Sequence, residues 1–314
     1  MESFASLRTH EIGSFEALSN LVVGTSREVI QLERGTLKGC LWHASICGLP
    51  VDAVTFNLGL RTRGAAGRDR VSIGMLSASA GRVTRASYES RPGDVLVTPP
   101  GTEHENRYYG GSGIIVVSLS PDDLKSFFGS EFELGDMAAW RRSHFTGNAG
   151  TVQDVIPRLE TLVASLSDVQ LNAEAAEFWK RAVIEAITSN VVAAWPAEPD
   201  GPLPSALKVV RRVEEYLDAQ TTDVVHISQI CSQLHLSRRT LHRAFHEALG
   251  LGPIAFLRYR RLCAVHTTLR AADDVRTISD LAMQHGFQNL GRFSGYYHQL
   301  FGEYPSETRR QRAH

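Results

Sequence analysis

The spacing of apolar positions changes along the chain, and each change marks a new kind of element. Residues 20–120 hold short apolar runs, among them "VTFNLGL", "VSIGML", "DVLVTPPG" and "GIIVVSLS", separated by Gly, Pro, Asp and Ser. Runs of that length between turn residues predict many short strands, hence a β-sandwich or barrel. From residue 151 the period becomes helical. Val152, Val155, Ile156, Leu159, Leu162, Val163 and Leu166 make one stripe, and Phe178, Ala182, Ile184, Ile187 and Val191 a looser second. They predict a helical hairpin over 151–195, suited equally to a dimer surface or to core packed on its own domain. Residues 196–204, "PAEPDGPLP", hold four prolines and a glycine and predict a semi-rigid linker. The expected domains are therefore 1–150, the hairpin, the linker and 205–314.

Beyond the linker, Leu241, Ala244, Phe245, Ala248 and Leu249 fall at i, i+3, i+4, i+7 and i+8 and form one helical stripe. Arg239, His242, Arg243 and His246 take the opposite face, with Arg238 nearer the start. Ser237 is placed to cap the helix and Gly250 to stop it. The arrangement then recurs. Phe293, Tyr296, Tyr297, Leu300 and Phe301 repeat the stripe at an offset of 52, with Asn289 in the capping place. Ile278, Ser279, Leu281 and Ala282 repeat Ile227, Ser228, Ile230 and Cys231 at an offset of 51, so the second turn holds one residue more. Each copy predicts a short helix, a tight turn and a capped second helix, the helix-turn-helix unit. "GPIAFLRYRRLCAVHTTLR" predicts one long helix from Pro253 to about Arg270 between them. A merely solvated face has no reason to recur with its framework intact, so the cationic face is expected to lie in a DNA major groove.

Charge sharpens this expectation. The whole chain carries −1, but from Ser205 onward there are 15 Lys/Arg against 10 Asp/Glu, and before it 18 against 24. Only the C-terminal part suits a polyanion. Cys40, Cys47, Cys231 and Cys263 match no metal or disulfide spacing, no apolar run reaches the roughly 18 residues of a membrane span, and the N-terminus is unlike a signal peptide. A cytoplasmic protein without a membrane partner is expected.

The stretches "LSRRTLHRAFHEALGLGPIAFLRYRRL" and "ISDLAMQHGFQNLGRFSGYYHQLFGEYPS" resemble the AraC/XylS family of bacterial transcription regulators over about residues 205–310, and within it most the ethanolamine-utilisation regulators. The resemblance implies two helix-turn-helix units on adjacent major grooves of double-stranded DNA and an activator that contacts RNA polymerase; a homodimer is expected through the hairpin over 151–195. It places base reading on Arg239, His242 and Arg243, with Arg238 at phosphate and His246 on the same face. In the second copy Gly291, Ser294 and Gly295 stand in the places of Arg239, His242 and Arg243. The first unit is thus expected to supply most base discrimination, and the second phosphate anchoring through Arg292, His298 and the helix start at Asn289. The alternative is that Gly295 admits a thymine methyl.

Gly93, Pro99, Gly101 and His104 in "GDVLVTPPGTEHENRY" resemble half of a cupin barrel. No histidine lies between His43 and His104, so the family's metal-binding set is incomplete, and neither metal nor cofactor is expected. In the related regulators such a barrel binds a small effector. Candidate lining groups are Trp42, Arg61, His104, Arg107 and Tyr108. Each has a plainer role: Trp42 as core, Arg61 and Arg107 as surface, His104 as a structural imidazole. The expected fold is α+β and multidomain, a cupin-like barrel with a helical hairpin followed by an all-α domain of two helix-turn-helix units. A non-enzymatic, effector-responsive regulator is the leading expectation. A cupin metal enzyme tethered to DNA and a ligand-independent architectural DNA binder are its competitors.

Overall fold

The computed structural model describes residues 4–19, 26–165, 171–198, 200–220, 224–271 and 276–311, and Leu166 of the first helical stripe lies outside them. The chain forms two compact units, Met1–Val29 with Leu37–Gly201, and Ile30–Thr36 with Pro202–His314.

The first unit is a sandwich of two sheets. Its strands are β1 (Ala5–Ile12), β2 (Ser26–Gln31), β3 (Gly39–Ile46), β4 (Leu49–Phe56), β5 (Leu60–Ala65), β6 (Val71–Ser79), β7 (Val83–Arg85), β8 (Tyr88–Ser90), β9 (Val95–Thr98), β10 (Glu103–Tyr108), β11 (Ser112–Leu119) and β12 (His144–Phe145). One sheet runs β1-β3-β4-β11-β6-β9-β12, the other β2-β5-β10-β7-β8. Strand β11 is buried along its whole length because the larger sheet is covered on both faces. Ile114 and Val116 face the smaller sheet across a cavity, while Ile115, Val117 and Leu119 join the core beneath the helices.

Those helices are α1 (Pro121–Phe128), α2 (Ile156–Ser165) and α3 (Ala173–Ala193). Leu159, Leu162, Val163, Val183, Ile184 and Ile187 share one core with Ile46, Val51, Ile73, Met75 and Val97 of the sheet. The hairpin is therefore packed on its own domain. Among the stripe members that leave that core, Val152 is 42% and Phe178 69% exposed. Val152 lies in a π-helical turn, Thr151–Val155, and one extra residue per turn rotates it off the buried face. The proline-rich segment is fixed to the barrel at Asp200, where one carboxylate oxygen accepts from the Tyr88 hydroxyl (2.9 Å) and the other from the Ser143 amide (3.0 Å).

The second unit is helical: α4 (Ser205–Asp218), α5 (Ile227–Gln233), α6 (Arg238–Leu249), α7 (Pro253–Arg270), α8 (Ile278–Gln284), α9 (Leu290–Phe301) and α10 (Pro305–Arg310). The duplication holds to the residue. Both turns pass through a left-handed position, His235 (φ 52°) and Gly286 (φ 78°). Both then close by an amide-to-carbonyl bond, Leu236 to Cys231 (2.9 Å) and Phe287 to Ala282 (2.8 Å). Gln288, between Phe287 and the cap Asn289, is the added residue. The short segment Ile30–Thr36 belongs to this unit, where Gln31 Nε2 and the Gly35 amide both donate to the Leu300 carbonyl.

No helix among the described residues is long and apolar enough to cross a membrane.

Candidate nucleic-acid interface and effector cavity

Helix α6 begins where Ser237 accepts the Thr240 amide (3.0 Å) and ends at Gly250, whose left-handed φ of 69° no β-carbon tolerates cheaply. Leu241, Phe245 and Leu249 are fully buried on one side. The other side carries Arg238, Arg239, His242, Arg243 and His246, all exposed. His242 and His246, one turn apart, stack at 6.5 Å. The burial pattern leaves five cationic or imidazole heads on a rigid, capped rod with their reach unused by the fold.

Helix α9 repeats the frame with another surface. Asn289 Oδ1 accepts the Arg292 amide (2.9 Å), and Gly302 closes the helix at φ 76°. Phe293, Tyr297, Leu300 and Phe301 are buried, and the Tyr297 hydroxyl donates to Thr308 Oγ1 (2.9 Å). Asn289, Gly291, Arg292, Gly295 and His298 are exposed. His298 stacks on Tyr304 at 4.4 Å, which holds its ring against the helix end.

The two units open onto one cleft of about 600 Å³. Arg238 and His242 from α6 line it together with Asn289 and Arg292 from the start of α9. Its lining also includes Arg261, which sequence did not single out, and Tyr296, which sequence placed only in the apolar stripe. Tyr296 lies under the Arg258 guanidinium at 4.2 Å, and Arg261 lies over Phe287 at 5.2 Å. Arginines on the connecting helix α7 gave no sequence signal, since their helix has no polar face of its own. Both recognition helices thus present donors to one side of the domain, which a continuous duplex requires.

In the barrel, strand parity sorts the candidate effector residues. His104, Asn106 and Tyr108 alternate inward from β10 and line a cavity of about 50 Å³ between the sheets. Arg107 points the other way, as does Arg61, its cross-strand neighbour on β5. Both were expected at the surface, yet they are 8% and 1% exposed. Arg61 Nε donates to Glu105 Oε1 (2.9 Å), and Arg107 Nη1 to the carbonyls of Tyr108 (2.6 Å) and Leu60 (3.3 Å). Pairing of this kind is what burial of a guanidinium demands. Neither lines the cavity. Trp42 is also off its wall, half-buried against the core on the helix-covered face of the larger sheet. Among the wall residues that sequence reasoning missed is the charged one, Arg85, at the end of the three-residue strand β7. A strand that short shows no alternation from which an inward side chain could be read. Among the described residues no group of three or more His, Cys, Asp or Glu is placed to hold a metal ion.

A helix-turn-helix domain family matches residues 230–311. The XylDLEGF operon transcriptional activator of Pseudomonas putida is 33% identical over 109 residues, 34% of this chain and 33% of that protein. The transcriptional activator RhaR of Pectobacterium carotovorum is 33% identical over 113 residues, 36% of this chain and 39% of that one. A solved probable AraC family transcriptional regulator from Rhodopseudomonas palustris is 36% identical, over 34% of this chain and 99% of its own, with a TM-score of 0.32. The chain spans between about a third and two fifths of the length of these two curated relatives. The C-terminal unit is thus a helix-turn-helix domain of the AraC/XylS family.

Proposed function

We propose that the protein is a cytoplasmic, sequence-specific DNA-binding transcription regulator whose barrel senses a small effector. The observation that carries this reading is the shared cleft: two capped helices, each with a buried apolar stripe, turn Arg238 and His242 on one and Asn289 and Arg292 on the other toward a common opening. Arg239, His242 and Arg243 read bases from the first unit. Arg238, Arg292, His298 and the α9 start at Asn289 hold phosphates, and His246 extends the cationic face. An arginine on guanine O6/N7 is worth about 1–3 kcal/mol of discrimination, enough to give the first unit most of the sequence preference. The functional unit is a homodimer formed across the hairpin, where Phe178 remains exposed beside Trp179. Activation through contact with RNA polymerase belongs to the same reading.

The test is enrichment of randomised duplexes by the purified full chain, followed by the same selection with Arg243→Ala. A two-part consensus is expected for the wild type, with one position of the first half relaxed in the variant. Enrichment of no sequence, or a consensus unchanged in Arg243→Ala, overturns the assignment.

A further inference from the structure

The two walls of the barrel cavity differ in chemistry. The smaller sheet contributes Thr62, Arg85, His104, Asn106 and Tyr108, and the larger sheet mainly Val54, Phe56, Leu96, Ile114 and Val116. Arg85 is only 5% exposed. Its Nη2 donates to the Val97 carbonyl (2.6 Å) and Thr98 Oγ1 (2.8 Å), and its Nη1 to Asn106 Oδ1 (3.3 Å). These bonds fix the guanidinium plane, so the long side chain carries little rotamer freedom that a ligand would have to remove. His104, 5% exposed, lies on the same wall. None of the residues lining the cavity is acidic. A site with a held guanidinium and imidazole on one side and a hydrocarbon surface on the other complements a small amphipathic anion.

Size narrows the class. A water needs about 10–15 Å³ of such space, so a cavity of about 50 Å³ holds roughly three to five non-hydrogen groups. We infer that the cavity binds a short-chain monocarboxylate, its oxygens on Arg85 and its alkyl group against Val54, Ile114 and Val116. This deepens the reading of the barrel as an effector site and is independent of the DNA interface.

Calorimetric titration of the full-length protein with sodium propionate tests the inference, with propionamide as the neutral isostere. Propionate is expected to bind at least about tenfold more tightly than propionamide, and Arg85→Gln to remove at least about that factor. The wild-type comparison needs no variant, so it stands even where Arg85→Gln fails to fold. Equal binding of the amide overturns the anion assignment. So does wild-type propionate affinity in a folded Arg85→Gln protein. Absence of binding for acetate, propionate and butyrate alike overturns the site. Duplex enrichment measured separately keeps the two ideas apart: propionate binding without any preferred DNA sequence would sink the regulator reading and leave the cavity assignment standing.

Discussion

Gly295 sits in the middle of α9 on its exposed side, where an added β-carbon would meet no atom within 4 Å, and at Gly291 it would meet only Asn289 Oδ1, at 3.5 Å. Glycine inside a helix costs about 1 kcal/mol against alanine, and nothing in the fold compensates at either position. On the proposed reading the compensation belongs to the bound state, in which a bare backbone would let the helix approach DNA closely. Gly295→Ala is therefore expected to raise stability by up to about 1 kcal/mol while weakening DNA binding, measured by denaturant unfolding and gel-shift titration. Unchanged DNA affinity would mean that nothing approaches there. Gly302 is a different case: its φ of 76° makes alanine a destabilising replacement. On α6, the exposed Arg238 is assigned to phosphate, so Arg238→Ala should weaken all sequences alike and lower the salt slope by about one. Titration of specific and random duplexes at several salt concentrations checks this.

Elements of the first unit are tied by buried carboxylates. Asp123 opens α1 in a capping box with Ser120 and pairs with Lys180 of α3 at 2.6 Å. Burial pushes its pKa up, but Lys180, the Ser120 hydroxyl and the Ser120 amide hold it below the ordinary value. Asp94 is likewise lowered against the effect of burial, by His144 (3.0 Å) and the amides of Gly147 and Arg91. A carboxylate lowered by folding contributes stability that is present above its unfolded pKa and is lost as pH falls through the folded one. Thermal midpoints should hold near neutral pH and fall below about pH 4, and Asp123→Asn should flatten part of that fall. The same region holds the proline-rich segment. The Tyr88 ring stacks on His144 at 4.8 Å, and burial, then the bond to Asp200, raise the Tyr88 pKa. Tyr88→Phe removes one of the two bonds to Asp200, and faster cleavage on the N-terminal side of Asp200 by an endoproteinase specific for aspartate is the expected result. Arg85 is the cross-strand partner of Tyr88, so the cavity wall and this anchor share one hairpin.

For the whole molecule, the hairpin has two sides with different fates. Its inner side is core, and its outer side keeps Phe178 69% exposed. A dimer formed there should dissociate in Phe178→Asp, while the fold, whose core does not use that ring, survives. Sedimentation velocity together with circular dichroism tests both halves of that statement. A dimer that persists in the variant would place the contact elsewhere.

The helical third was legible from sequence because what defines it is local. A helix stripe, a capping hydroxyl and a left-handed stop are separated by a few residues, and their recurrence at 51 and 52 fixed both units and the extra residue of the second turn. Exposure of Arg239, His242 and Arg243 followed from the period alone. The barrel's short runs announced strands but not their partners. Arg61 and Arg107 carry charges that suggest a surface, yet pairing of β10 with β5 buries them with Glu105 and carbonyl groups. His104 and Arg85 stand 19 residues apart on strands of one sheet, β10 and β7 being direct neighbours. Which face of each strand turns inward, and which wall it meets across the cavity, depends on pairings between residues far apart in the chain. Only the tertiary structure decided that, because a strand's side chains alternate by rule but its register is chosen by its neighbours.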